Sequence, residues 1–287
     1  MKEILSAAEN FLYENKGLEL SCPILVCPFC QKELIACYNS LSCKRCELCY
    51  PIQHGIMDFL LEKECYWVSG AFSHESKNYE QRYQSLEKAK NYNLQKKKEA
   101  TLSEGKIIEK LLEAQGKTKF LLDVPCGGGR LSYFLEKNTQ YLIEADIAYG
   151  QLLYGQKNFQ SAIPKIYLRT SALRLPLKDN SIDAAVCIRL SHHLHSEQER
   201  ILLIRELLRV SSRFVILSFN DSYAFKNIYR GWKKRLEKNT MSMDEIARIA
   251  NDFHADLLCA PNTGFMRTHR YALLIKRENS NIILKEE

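Results

Sequence analysis

Two sets of side chains in this chain are spaced for chemistry. Cys27-Pro-Phe-Cys30 and Cys43-Lys-Arg-Cys46 are CxxC knuckles with twelve residues between them. Four thiolates at that spacing can close a tetrahedral zinc site, and four protein ligands leave no open position for water, so the ion would be structural. Cys22 and Cys49 stand close enough to replace one ligand. The second set starts at Leu121-Leu122-Asp123-Val124-Pro125-Cys126-Gly127-Gly128-Gly129, an apolar run that ends in a carboxylate and three glycines. Strand, glycine turn and helix in that order present bare backbone to a ligand at the carboxyl end of a strand. Asp146 follows about 20 residues beyond the turn, where a carboxylate can accept both hydroxyls of a ribose. Together they point to a nucleotide-like cofactor. The turn lacks the G-x-G-x-x-G spacing, which argues against a dinucleotide.

These groups need a sheet to hold them. Apolar runs at 119–124, 140–146, 165–169, 182–188, 213–219 and 271–276 read as strands. Helical periodicity lies at 106–115, 130–137, 148–158, 196–209 and 242–253, with another helix starting at 78–83. Gly105 reads as a break before the helix at 106–115. Strands alternating with helices predict an α/β fold, a Rossmann-like, doubly wound, mostly parallel sheet, preceded by a small cysteine module. The run 271–276 is expected to pair antiparallel at an edge, with 256–260 as another late strand. Three parts follow: 1–65 with the cysteines, 66–105 as a basic and aromatic linker or set of cap helices, and 106–287 as the main domain.

The main domain resembles class I S-adenosylmethionine (SAM) methyltransferases of the type 11 group. The resemblance rests on Asp123–Gly129, on Asp146, on Ser171-Ala172-Leu173-Arg174-Leu175-Pro176 continuing to Asp183, on Cys187-Ile188-Arg189-Leu190-Ser191-His192-His193-Leu194, and on Glu206-Leu-Leu-Arg-Val210. It implies cofactor roles. Asp123 would order the turn near the methionine amino group. Gly127 and Gly129 would admit the methionine and ribose, and Asp146 would bind the ribose hydroxyls. Ser171 and Ala172 would sit by the adenine, and Arg189 under the cofactor near the substrate. Pro125 replaces the family's first glycine and removes one N–H donor. Ser171 stands where an acidic residue often bonds the adenine. The cysteine segment, about 22–61, with Tyr50-Pro51-Ile52 and Gly55-Ile56 after the second knuckle, resembles the zinc-ribbon family that includes methyltransferase activator proteins. More loosely, it is similar to the zinc modules of some ribosomal-RNA guanine methyltransferases. The ribbon would dock substrate, a protein partner or its own catalytic domain.

A sulfonium methyl group is already electrophilic, so a catalytic base is optional. His192 and His193 follow the fourth strand of the main domain and are candidates for one. Packing at a helix start is the alternative role for them. The chain carries a net +7, concentrated in two stretches. Residues 77–98 hold seven basic groups against two acidic, and 226–238 six against one. The resemblance places both where this family builds its cap. Basic charge interleaved with Tyr223, Phe225, Tyr229 and Trp232 suits RNA, and equally a phosphorylated small molecule or lipid; solvated helix faces would look the same. A non-catalytic scaffold with a degenerate methyltransferase fold is the reading from another class. No apolar stretch reaches membrane-spanning length, the first ten residues lack a sustained apolar core, and paired CxxC knuckles suit a reducing compartment, so a cytoplasmic protein is expected.

Overall fold

The computed structural model describes residues 14–16, 19–60, 74–95, 98–194, 196–232, 239–262, 264 and 267–277. Cys65, His195 and residues 233–238 of the second basic stretch lie outside them.

The cysteine segment is a run of antiparallel strands: β1 (Glu14–Lys16), β2 (Glu19–Val26), β3 (Glu33–Cys37), β4 (Ser40–Cys43), β5 (Leu48–Gln53) and β6 (Ile56–Asp58). Helices α1 (His74–Arg82), α2 (Leu86–Gln95) and α3 (Lys98–Gln115) follow. Then come β7 (Thr118–Asp123), a single turn α4 (Ser132–Leu135), β8 (Thr139–Asp146), α5 (Tyr149–Asn158), β9 (Lys165–Arg169) and β10 (Ile182–Cys187). The chain continues through α6 (Glu197–Val210), β11 (Ser211–Asn220), α7 (Phe225–Trp232), α8 (Met243–Asp252), β12 (Ala255–Cys259) and β13 (His269–Lys276).

The strands lie in the order β1-β2-β3-β4-β5-β6-β9-β8-β7-β10-β11-β13-β12. Every pairing from β6 through β11 is parallel, and β13 runs antiparallel between β11 and β12. This is the expected doubly wound sheet. The run at 271–276 is antiparallel as expected, but β12 takes the edge. β7 and β10 read as near-continuous apolar runs because both faces of the sheet are covered. Capping boxes start α6 at Ser196/Glu199 and α8 at Ser242/Glu245.

Gly105 breaks nothing. α3 runs through it from Lys98 to Gln115, and a Cβ at this position would run into the Phe134 ring. Glycine here costs helix propensity of roughly 1 kcal/mol and lets the helix seat on the sheet. The helix expected at 130–137 is one α turn followed by a 3-10 turn at Glu136–Asn138, because the chain re-enters the sheet at Thr139.

The cysteine ribbon is packed onto the sheet. β6 pairs in parallel with β9, and Leu25 bridges Leu177. Val26 N–H donates to the Pro176 carbonyl at 3.0 Å, and Lys178 N–H to Ile24 at 2.9 Å. Leu25, Leu34, Leu41, Tyr50 and Phe59 of the ribbon share one buried core with Leu122, Ile143 and Leu168 of the sheet.

Candidate functional site

The sheet reverses its winding at β7, with β8 on one side and β10 on the other. Ligands bind outside the carboxyl ends of strands at such a switch point. A cavity of about 650 Å³ lies there, inside the range of small-molecule sites. Its walls come from the residues that follow β7, β8, β9 and β10: Val124 and Pro125, Ile147, Ser171 and Ala172, and Ile188 and Arg189.

Asp146 ends β8 on the cavity wall, and its carboxylate is fixed from behind. Oδ2 accepts from Gly127 N–H at 3.0 Å and Oδ1 from Ala148 N–H at 2.9 Å. The two backbone donors fix the orientation of this buried carboxylate. Gly127, Gly128 and Gly129 all have positive φ, a conformation that L side chains rarely adopt. Gly127 lines the cavity. Gly129 does not; it packs toward Ser132 and Phe159.

Asp123 lies behind the wall and is fully buried. Neither of its oxygens has a hydrogen-bond partner among the described residues. Burial, then the neighbouring Glu144 carboxylate, push its carboxyl well above the usual range. Glu144 is its register partner on β8, and is paired with Lys165 Nζ at 3.0 Å and with the Ser132 hydroxyl.

The opposite wall carries a different arrangement. Glu104 on α3 is buried and binds both Arg130 and Arg189, the latter through Nε at 2.9 Å. Tyr271 donates its hydroxyl to the same carboxylate at 3.0 Å. Burial pushes the Glu104 carboxyl up, but Arg130 and Arg189 outweigh it and hold it below its ordinary value. Arg189 has a left-handed backbone, φ 64°, with its N–H on Ser218 Oγ at 2.6 Å. Ser171 Oγ accepts from Leu173 N–H at 3.2 Å, which shapes the loop after β9.

His192 and His193 stand side by side on the cavity, ring centroids 4.1 Å apart, with His269 Nε2 3.4 Å from His192 Nδ1. Burial, then His193, His269 and Arg189, push the His192 imidazole down to about 3. It is therefore neutral at neutral pH.

Several wall residues carry no motif in the sequence. Tyr79 and Tyr92 line the cavity and bracket Tyr83 in a ladder of rings with centroids 4.8 and 4.6 Å apart. Arg82 and Arg267 also line it, exposed, and no side-chain partner is found for either among the described residues. The aromatic character of the 66–105 segment is the signal the sequence offers for the ladder. A helix that starts at 106 leaves Glu104 out, whereas α3 carries it. The first basic stretch thus covers the cavity through α1 and α2, whereas no described residue of 226–232 touches it.

Within the ribbon, Cys27, Cys30, Cys43 and Cys46 come together, their sulfurs all within 4.8 Å of one another. Cys27 and Cys46 Sγ are 3.9 Å apart, and Cys30 and Cys43 Sγ 3.5 Å. A tetrahedron with Zn–S bonds of about 2.3 Å has edges of about 3.8 Å. Cys46 N–H donates to Cys43 Sγ at 3.4 Å, the support a knuckle gives its thiolate. Cys49 is exposed and outside the cluster, so it replaces no ligand. Among the described residues no helix is long and apolar enough to cross a membrane.

Residues 122–216 match the family model described as a methyltransferase domain. No curated protein matches the chain. Among solved structures, magnesium protoporphyrin IX methyltransferase from Synechocystis PCC 6803 with bound S-adenosylhomocysteine (SAH) is similar at TM-score 0.52 and 15% identity, covering 62% of this chain and 84% of that one. A possible exported protein from Bordetella parapertussis is similar at TM-score 0.50 and 13% identity, covering 61% and 67%. At those identities the likeness is one of fold: a Rossmann-like methyltransferase fold with a mostly parallel central sheet.

Proposed function

We propose that this chain is a SAM-dependent methyltransferase. The observation that carries the reading is Asp146, an acceptor-only carboxylate fixed by Gly127 and Ala148 N–H groups on the wall of a switch-point cavity. SAM bound there supplies an electrophilic methyl group, and the protein supplies orientation and electrostatics. Asp146 holds the ribose, Gly127 gives backbone access, Ser171 and Ala172 flank the adenine, and Asp123 answers the methionine ammonium from behind the turn. Arg189, fixed by Glu104, stands beside the acceptor. Proximity alone lowers the barrier to an in-line transfer. A base works best near the operating pH. His192, held down to about 3, is mismatched to that task, which leaves His193 as the candidate base where the acceptor needs one.

For the acceptor we favour an anionic molecule, RNA first. Exposed Arg82 and Arg267 on the cavity and exposed Lys88 and Lys90 on α2 support an anion. Exposed Tyr223, Phe225 and Tyr229 offer stacking faces. One observation favours a lipid or other apolar acceptor instead: Ile228 joins Phe225 and Tyr229 in an exposed stripe along α7. Labelled methyl transfer from SAM into fractionated extract separates these, and label confined to small molecules or lipid removes RNA.

Isothermal titration tests the cofactor. Wild-type protein is expected to bind SAM, and absence of binding sinks the enzyme reading in favour of a scaffold. Asp146→Ala should weaken SAM by about ten- to a hundredfold, the worth of charged hydrogen bonds. Unchanged affinity would remove the ribose role.

We further propose that Cys27, Cys30, Cys43 and Cys46 hold a structural zinc ion, supported by sulfur separations near a tetrahedron's edge. Metal analysis should find about one zinc per chain by the four-ligand rule, lost in a Cys27→Ser/Cys43→Ser variant; full retention refutes the ligand set. The division into ribbon 1–65, cap 66–105 and catalytic part 106–287 is proposed as one of roles. The shared core favours a ribbon that serves its own catalytic domain over one that recruits a partner.

A further inference from the structure

One buried side chain touches all three of those parts. Arg169 ends β9, two residues before Ser171. Its Nη1 donates to Asp58 Oδ2 at 2.6 Å, on the last residue of β6 in the ribbon. Its Nη2 donates to Glu80 Oε1 at 2.6 Å, on cap helix α1 next to Tyr79. Its Nε donates to the Ile147 carbonyl at 3.3 Å, the residue after Asp146. All three charged groups are buried. A guanidinium carries its donors in a rigid fork, so the three partners are held in one plane and one register.

The surroundings reinforce the link. Phe59 N–H donates to the Arg169 carbonyl at 2.9 Å. The ribbon hairpin grips α5, with Tyr149 hydroxyl on the Gln53 carbonyl at 3.2 Å and Gln156 Nε2 on that of His54 at 3.1 Å. Gly150 N–H donates to Tyr83 O at 3.1 Å, and a Cβ at Gly150 would strike the Tyr83 and Ser85 carbonyls, so the turn between α1 and α2 lies directly on α5.

We propose that Arg169 is a positioning residue: it ties the ribbon to the cap helix and to the Asp146–Ile147 wall, so that cofactor binding depends on a carboxylate, Asp58, that lies outside the cavity. A ribbon that merely decorated the domain would have no such reach. Cofactor affinity as the readout rests on the proposed SAM site, so the test has a second arm that does not.

SAH affinity and hydrogen exchange of the free protein would be measured for wild type, Asp58→Asn, Glu80→Gln, the double variant and Arg169→Lys. Lys178→Ala serves as control, since it removes only the exposed pair between Lys178 of the main domain and Glu33 of the ribbon. Asp58→Asn and Glu80→Gln should each weaken SAH about tenfold, the effect of one charge-assisted bond. Both should speed amide exchange over 78–92. The double variant should fall well short of the product of the two losses, because both act through one guanidinium. Arg169→Lys keeps the charge without the fork and should retain part of the affinity; the control should stay within twofold of wild type. Folded Asp58→Asn with unchanged exchange over 78–92 overturns the proposal, as does wild-type SAH affinity in that variant. If wild type binds no SAH, the cofactor reading fails, and the exchange arm alone decides whether Arg169 couples ribbon to cap.

Discussion

Two buried carboxylates lie behind the lining of one cavity, Glu104 in its α3 wall and Asp123 beneath its floor at the glycine turn, and live in opposite circumstances. Glu104, on the α3 wall, has two guanidinium partners and a tyrosine hydroxyl. Asp123, under the glycine turn, has no hydrogen-bond partner among the described residues. Burying a charge is costly unless it is paired and hydrogen-bonded. The wall meets that requirement within the protein, and the floor does not. A satisfied carboxylate of this kind is architecture: it fixes Arg130 and Arg189 on the cavity. An unsatisfied one is a cost the fold carries, and under the proposed function the cation on the methionine end of SAM is the group that would answer it.

Breaking the wall should give the larger effect. Glu104→Ala leaves two arginines facing each other with no counter-charge and strands the Tyr271 hydroxyl. Removing one partner of a buried ion pair costs about 3–5 kcal/mol. The expected outcome is a fall in unfolding free energy of that order, read by chemical unfolding, together with loss of SAM binding. A change below about 1 kcal/mol, the worth of a surface pair, would show that the cluster is solvated and not structural. The pH sign is set by the downward shift. A carboxyl whose folded value lies below its unfolded value stabilises above the unfolded value, and that stability is lost as pH falls through the folded value. Glu104→Gln should accordingly flatten the acid limb of the stability profile relative to wild type.

The floor was readable in the sequence and the wall was not, for physical reasons. Asp123, the glycine turn and Asp146 sit at strand ends, and strand ends are set by local periodicity, so their convergence at a switch point follows from the alternation of strands and helices. The knuckles are local as well, and their four sulfurs meet as the spacing requires. Glu206 and Arg209, near the end of α6, hold the loop after β9, with Arg209 Nη1 on the Leu177 carbonyl at 2.8 Å and Nη2 on that of Leu175 at 3.1 Å. Glu104 and Arg169 act across the chain instead. Arg169 meets Asp58 and Glu80 at separations of 111 and 89 residues, which no window on the sequence covers. β6 is three residues long, too short for period-2 alternation to mark it, yet it joins the ribbon to the sheet. Gly105 reads as a break because glycine's helix cost is local, while the Phe134 ring that requires it arrives from α4, beyond β7.

The floor offers the smaller and sharper prediction, because its two readouts move in opposite directions. Asp123→Asn is nearly isosteric and cannot ionise. Burial and Glu144 raise the folded value of the Asp123 carboxyl above its unfolded value. Such a group contributes its stability fully below the unfolded value and loses it as pH rises toward the folded one. The asparagine variant should therefore gain on wild type from about pH 4, the ordinary aspartate value, upward. At neutral pH the gain is expected at about 1–3 kcal/mol, the cost of an unsatisfied buried polar group, less what the amide itself leaves unpaired. SAM affinity should fall in the same variant, since an asparagine cannot ionise to answer the proposed methionine ammonium. Thermal melts across pH and a SAM titration read the two effects separately. A variant that melts lower than wild type at neutral pH would mean that Asp123 is satisfied in the free protein, and the contrast with Glu104 would collapse. A variant that melts higher and binds SAM as well as wild type would leave the contrast intact but free Asp123 of any cofactor role.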